Sequence, residues 1–461
     1  MTLGRLLPDI RVAPPGPKSR EAARRLRAVE SHDVTHVTEQ WPVFWEEASG
    51  GNVRDVDGNV LLDLTGAFGV ALLGHRPDPV VAAVGRQACM LLHGMGDIHP
   101  PRIKLDLLER LAAVAPWPDS RTVLSSTGSE SVETALKTAQ VATGRPGILA
   151  FEGSYHGLTL GALAATDRDH FRGRFLDRLY GGVRFVPFPE VTDGSGRGRE
   201  ATGGSADGDG ASERVLAFVA DALDQGAPNG DAIGAVLVEP MQGRGGARVP
   251  PDGFMAELSR LAHAAGALVI ADEVFTGSGR CGSMFASPTV GLDPDLVCLG
   301  KALGGGVPIS ACMGRADVMD RWPESTGEAI HTSTFLGHPL GCAAALAVLD
   351  TYDRDGVHAR VRKAGEDWTR RLRERVAGDS RVRDVRGLGL LLGIELGDVS
   401  GGPGGAGDGG RVAEALLAAG LLVLPAGPSG NVVEVTPSVY LTADQVAHSV
   451  EALAVAIEGL G

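Results

Sequence analysis

Lysine is scarce in this chain. Among 461 residues there are five, Lys18, Lys104, Lys137, Lys301 and Lys363, and arginine carries the rest of the positive charge. Positive charge is also short overall: 43 Lys and Arg face 57 Asp and Glu, for a formal net charge of −14. A chain without a basic excess lacks the face that a nucleic-acid backbone or an anionic membrane surface requires, so neither is an expected partner. An acidic surface does tolerate neutral or cationic small molecules. The five cysteines, Cys89, Cys281, Cys298, Cys312 and Cys342, are odd in number and scattered, unlike a disulfide framework. Such cysteine usage points to a reducing cytoplasm. No apolar run is long enough to span a bilayer, and "MTLGRLLPDIRVAPPGPKSR" mixes charge with proline, so neither a membrane segment nor a secretory leader is expected.

The length allows one large or two ordinary domains. The first forty residues are polar and proline-bearing, contain one helical stretch, "REAARRLRAVE", and read as an arm. In "GNVRDVDGNVLLDL" apolar and polar residues alternate about Asp57-Gly58, which predicts a hairpin. From about Arg121, the β-rich runs "RTVLSS", "GILAFEG", "VRFVPF", "IGAVLVEP", "ALVIADEV" and "LVCLGKAL" alternate with helical stretches. Near-continuous apolar strands separated by helices predict a mostly parallel sheet covered on both faces. The expected divisions are an arm and part of a small domain over 1–75, a large domain over 76–341, and the rest of a small α+β domain over 342–461. "TDGSGRGREATGGSADGDGASE" and "SGGPGGAGDGG" lack apolar anchors and are expected to be mobile surface loops.

The scarce lysine that stands out is Lys301, set in "LVCLGKALGGGVP" between an apolar strand and three glycines. A solvated surface lysine is the plain alternative. At the carboxyl end of a strand in an open α/β sheet, however, a lysine lies where ligands bind, and a desolvated amine can form a Schiff base. "ALVIADEV" ends on Asp272, with Val274 on the same face and Glu273 on the other. There a carboxylate would hold a heterocyclic nitrogen protonated while the valine packs on the ring; alternatively Asp272 caps the next loop. "SSTGSESVETALK" runs from a strand into a helix whose start, at Gly128 and Ser129, offers N–H groups and a positive dipole end to a phosphate. Ser129 as an ordinary N-cap is the alternative. "FEGSYHGLT" supplies Tyr155 and His156 for stacking, or for core packing. Taken together, a Schiff-base lysine, a carboxylate for a ring nitrogen, a phosphate cradle and a stacking aromatic specify pyridoxal 5′-phosphate. No metal is assigned to this site.

These segments resemble the class III pyridoxal-phosphate aminotransferases, the fold-type I family that includes ornithine, 4-aminobutyrate and many ω-amine transaminases. The likeness runs from "DVDGNVLLDLTGAFGVALLGH" to "VEVTPSVYLT" and is most specific in "AVLVEPMQGRGG", "ALVIADEVFTGSGRCG", "LGKALGGGVP" and "TSTFLGHPLGCAAA". It implies an α/β fold with a mostly parallel sheet in a large domain beside a smaller α+β domain. It implies that Lys301 holds the cofactor and shuttles protons, that Asp272 pairs with the pyridine nitrogen, and that Val274 and Tyr155, with neighbouring His156, cover the ring. Gly128 and Ser129 would hold the phosphate, joined by Thr334 from the other subunit of a homodimer. Glu239 matches a glutamate beside the substrate pocket, and Phe68 a position that faces substrate. The glycines of "RGLGLLLGIEL" have the wrong spacing for a dinucleotide fingerprint and match the family's small-domain hairpin instead.

Departures from the family pattern bear on substrate. Many relatives that act on amino acids carry an arginine that clamps the substrate carboxylate; "NVVEVTPSV" places Glu434 there. An acid would repel a carboxylate and attract an ammonium or hydroxyls, unless Glu434 is a surface strand residue. Arg244 stands where a glutamate or small residue is usual, either as a substitute carboxylate ligand or as a solvated loop residue. Phe275 replaces a frequent glutamine, and His338 a frequent asparagine without an evident role. "WPVFW", Trp41 to Trp45, either lines the acceptor site or packs the arm. The expected reaction moves an amino group from an amine or amino-acid donor to an aldehyde or ketone lacking an adjacent carboxylate, for example an amino-sugar or another specialised-metabolite carbonyl. The alternatives are an ω-amino-acid transaminase, an aminomutase or epimerase, and a non-catalytic cofactor-binding protein.

Overall fold

The computed structural model describes residues 3–189, 210–397 and 407–460. They fall into a larger unit, Asp78–Arg362, and a smaller one made of Met1–Pro77 with Lys363–Gly461. Of the two glycine-rich stretches expected to be mobile loops, 192–209 and 400–406 lie outside the described residues, while their ends, 211–213 and 408–410, instead open the helices Ala211–Gln225 and Asp408–Ala418. No helix among the described residues is long and apolar enough to cross a membrane.

In the smaller unit the helix Pro17–Arg27, which overlaps the expected helical stretch, precedes β1 (Trp45–Ser49), β2 (Asn52–Asp55) and β3 (Val60–Asp63), which pair antiparallel in that order. The predicted hairpin joins β2 to β3. Its turn closes because Asp55 Oδ1 accepts from the Asp57 and Asn59 N–H groups at 3.0 and 2.8 Å, while Gly58 takes φ +91°. Trp41 packs against a cluster of Val43, Val53, Leu61, Leu417 and Leu422, the arm-packing outcome for "WPVFW".

Among the described residues the larger unit holds seven strands: β4 (Ser120–Ser125), β5 (Gly147–Phe151), β6 (Val183–Val186), β7 (Ile233–Val238), β8 (Leu268–Asp272), β9 (Leu296–Leu299) and β10 (Ser310–Arg315). Their order is β4-β10-β9-β8-β7-β5-β6, and β10 alone runs against its neighbours. The sheet is therefore mostly parallel, as its continuous apolar runs predict. Every residue of β5, β7 and β9 is buried. The helix Gly128–Thr143 lays Val132, Ala135 and Ala139 into a core with Ile148, Ala150, Leu237 and Ile270. Each fully buried Val, Leu or Ile side chain there contributes roughly 1.5–3 kcal/mol by removal from water. Between β8 and β9 the crossover contains only a short 3-10 turn, Ser287–Val290, not a full helix.

The boundary expected at 341/342 lies inside the helix Pro339–Asp355. That helix packs within the larger unit on Asp78–Met90 and Arg102–Val114, so the larger unit extends to Arg362. The smaller unit resumes with β11 (Val382–Leu388) and β12 (Leu391–Leu396), followed by β13 (Leu421–Leu422), β14 (Leu424–Ala426) and β15 (Val432–Val435). β11, β12, β15 and β14 form an antiparallel sheet, and β13 joins β3 in parallel.

Candidate active site

In a parallel sheet the chain leaves each strand at one common edge. The carboxyl ends of β5, β7, β8 and β9 release Tyr155 and His156, Glu239, Asp272 and Lys301 respectively within a few residues. Asp272 is 4% exposed and receives Val274 N–H on Oδ1 at 3.0 Å. Its Oδ2 lies 2.7 Å from His156 Nδ1, an ion-pair or hydrogen-bond contact in which both side chains are buried. Glu239 accepts from the Tyr155 N–H at 3.2 Å and the Gly243 N–H at 3.1 Å. Burial pushes its carboxyl up to about 7; the electrostatic influence of His156 and Lys301 and the Tyr155 N–H oppose that rise, and the like charge of Asp272 adds to it. One donor atom from each of His156, Glu239 and Asp272 lies within 4.8 Å of the others.

Lys301 opens a short 3-10 turn with φ +44°, the left-handed region, which costs a non-glycine residue roughly 1–2 kcal/mol. Its Nζ stands 3.6 Å from the centroid of the Phe275 ring. Val274 sits against two glycines: a Cβ on Gly128 would meet its Cγ1 at 2.7 Å, and one on Gly300 would meet it at 3.2 Å. At the start of Gly128–Thr143 the capping role falls to Thr127, whose side chain and Glu130 form a capping box. Ser129 is thus not the cap; it lies in the first turn, and its Oγ accepts from Leu158 N–H at 3.4 Å. Gly157, at φ +124°, allows this approach, since a Cβ there would fall 2.1 Å from Ser129 Oγ.

Tyr155 is half-buried and edge-on to Phe171 at 5.5 Å. Burial raises its hydroxyl pKa, and Arg244 and Arg168 pull it down. Arg244 thus acts on the Tyr155 side of the site and is only partly exposed. Thr334 is exposed, on the irregular segment before Pro339–Asp355. The structure therefore gathers Tyr155, His156, Glu239, Asp272, Val274, Lys301, Gly128 and Ser129 at one sheet edge, with Thr334 outside that set.

Phe68 and Glu434 belong to the smaller unit. Phe68 is 63% exposed and has φ +60°, following Ala67 at +48°. Asp63 builds this turn: it accepts from Thr65 N–H and hydroxyl at 2.8 and 2.6 Å, from Ala67 N–H at 3.0 Å, and contacts His75 Nε2 at 2.8 Å. Glu434 is 2% exposed in β15, opposite Gly393 and Leu424, so it is not a surface strand residue. Two residues on, Thr436 donates its N–H to Leu64 O and its hydroxyl to Thr65 O, both at 2.7 Å, tying the end of β15 to the Phe68 turn.

The sequence reading assigned no role to Glu273. It is fully buried and accepts from Ala286 N–H at 2.5 Å, Ser287 N–H at 2.8 Å and Ser287 hydroxyl at 2.5 Å, closing the loop that follows Asp272. An acid directly after Asp272 in the chain is the available signal. The site suits the cofactor that the sequence implies. His156 Nε2 is buried without a hydrogen-bond partner among the described residues, beside a buried carboxylate. Glycines at 128 and 300 leave room for Val274, and a helix N-terminus lies next to the lysine's strand end.

A model of the aminotransferase class-III family matches residues 34–457. A 4-aminobutyrate aminotransferase of Mycobacterium tuberculosis is 35% identical over 431 residues, 92% of each chain. An alanine/serine racemase of Pyrococcus horikoshii is 31% identical over 452 residues, 98% of this chain and 93% of that protein. An amine transaminase from an uncultivated Pseudomonas species, solved in its PLP-bound form, has a TM-score of 0.81 at 29% identity, covering 94% of this chain and 99% of the other.

Proposed function

The chain belongs to the class III aminotransferase family and is a pyridoxal 5′-phosphate enzyme; from that premise we propose that it transfers an amino group to an aldehyde or ketone with no carboxylate beside its reacting carbon. The observation that carries this reading is the burial of Glu434 at the position where many relatives of amino-acid specificity place an arginine. A buried carboxylate disfavours a second carboxylate and favours an ammonium or hydroxyl donors. Amino-sugar and other specialised-metabolite carbonyls have that chemistry. The exposed Phe68, held next to the end of β15, adds an apolar face to the same part of the smaller unit.

The cofactor supplies an aldehyde for amines and a ring that withdraws electrons when its nitrogen is protonated. The protein's part follows from its residues. Asp272 would keep that nitrogen protonated, with His156 orienting the carboxylate through their 2.7 Å contact. Val274 and Tyr155 would pack on the ring, and Gly128 and Ser129 at the helix N-terminus would hold the phosphate. Lys301 would hold the cofactor through Nζ, and its amine, when free, would serve as the base and acid that moves the proton at the substrate carbon. Glu239 borders the substrate, and Arg244 serves a donor carboxylate when the donor is an amino acid.

The assembly in this reading is a homodimer in the cytoplasm, with Thr334 completing the partner's phosphate site. Exposed apolar residues of the larger unit, including Met90, Ile98, Ile330 and Phe335, suit burial against a second copy. The racemase relative supports a second reading, in which the amine never leaves and no acceptor is consumed.

The test is a half-reaction screen. Holoenzyme is mixed with single amines, and loss of the visible absorbance of the lysine-bound cofactor is followed. Conversion by amino sugars or other carboxylate-free amines at rates matching glutamate supports the proposal. Conversion by amino acids alone refutes it. Turnover of one amine into its isomer with no acceptor present selects the second reading.

A further inference from the structure

Phe275 follows Asp272 by three residues, and its ring centroid lies 3.6 Å from Lys301 Nζ. The ring reaches that place because residue 243 is a glycine: a Cβ there would sit 2.3 Å from Phe275 Cδ1. The same Gly243 donates its N–H to Glu239 Oε2 at 3.1 Å. One residue without a side chain therefore both admits the ring and fixes the carboxylate nearby. Lys301 is held from its own side by the left-handed backbone at φ +44°, which restricts where its side chain starts.

We propose that Phe275 is a positioning residue for the transfer reaction, whose π face seats the Lys301 ammonium whenever the lysine is not joined to the cofactor. This rests on the functional reading above, in which Lys301 is released and retaken in each cycle. The negative face of an aromatic ring attracts a cation, and the attraction strengthens where water is excluded. Asp272, Glu239 and His156 come from the neighbouring strand ends and Arg244 from the loop beyond Gly243; they set the charge around the amine. The ring adds a short-range seat that fixes its position. A leucine would keep an apolar wall of similar size and remove the quadrupole. The ammonium would then be less favoured, and the amine would lose its proton at lower pH.

Five lysines in the whole chain make the measurement direct. Full-length protein carrying [ε-13C]lysine is stripped of cofactor, and the Lys301 resonance, identified by its loss in Lys301→Ala, is titrated. Phe275→Leu is expected to raise the acid dissociation constant of Lys301 by roughly two- to thirtyfold. Phe275→Tyr and Phe275→Trp, which keep an aromatic face, are expected to stay near wild type. In the holoenzyme, Phe275→Leu should slow the amine half-reaction more than it raises KM. An unchanged Lys301 titration in Phe275→Leu, or equal shifts in the leucine and tyrosine variants, overturns the seat. A failure of the premise that Lys301 serves the reaction shows separately, as Lys301→Ala protein that still turns over amines. Thermal melts of each variant ensure that only folded protein is compared, and Phe275→Met replaces Phe275→Leu if the latter does not fold.

Discussion

Glu239→Gln separates an electrostatic contribution from a packing one. The Glu239 carboxyl has an ordinary value of 4.5 and is pushed to about 7 chiefly by burial. Its folded-state value is therefore raised, and the native protein holds the proton longer than the unfolded chain does. The associated stability is fully present below 4.5 and is lost as pH rises through about 7. Taken over that interval, the loss amounts to about 3 kcal/mol, at 1.36 kcal/mol per pH unit. Glutamine cannot ionise and escapes the loss. It also presents one NH2 where Glu239 offers two acceptors to Tyr155 and Gly243 N–H groups, which costs about 1–2 kcal/mol at every pH. Near pH 5 the variant should therefore be the less stable protein, and near pH 8 the more stable one. Urea unfolding of cofactor-stripped wild type and variant at pH 5, 6, 7 and 8 measures the difference. A difference that stays constant from pH 5 to 8 would falsify the assignment of a buried, proton-holding Glu239.

Gly157→Ala should destabilise the protein by about 1–3 kcal/mol and weaken cofactor binding, because the new Cβ falls 2.1 Å from Ser129 Oγ and 2.8 Å from its Cβ on a backbone at φ +124°. Melting curves and cofactor titration check both effects; wild-type affinity would mean that Ser129 does not face the phosphate. Glu434→Arg should raise the glutamate half-reaction roughly ten- to a hundredfold, the range of a charge-assisted contact, and depress that of carboxylate-free amines. Single-turnover rates on the two substrate classes decide this, and parallel changes in both would remove Glu434 from substrate selection.

Much of the larger unit was legible because its strands are buried on both faces. Continuous apolar runs such as "IGAVLV" leave few alternatives to a parallel sheet. Strand alternation predicts Asp272 and Val274 on one face, but β8 ends at Asp272, and a turn joins the two through the Val274 N–H to Asp272 Oδ1. The lysine stood out by its rarity. The crossover between β8 and β9 was less legible, because a loop held by Glu273 fills the length of a helix. The unit boundary was missed for a related reason. "HPLGCAAALAVLD" has the pattern of any helix, and only its packing on Asp78–Met90 and Arg102–Val114 assigns it to the larger unit.

By itself the sequence determined the strand and helix periods, the residues able to bear charge or form a Schiff base, and the departures at Glu434 and Phe275. These are local properties, carried by side-chain type and spacing. Burial and long-range contact are not local. Glu434 could equally have faced water, Ser129 could have capped its helix, and nothing in the chain order announces that Gly243 makes room for a ring presented by residue 275. Those outcomes depend on which backbones the fold brings within a few ångströms, and only the tertiary structure decides them.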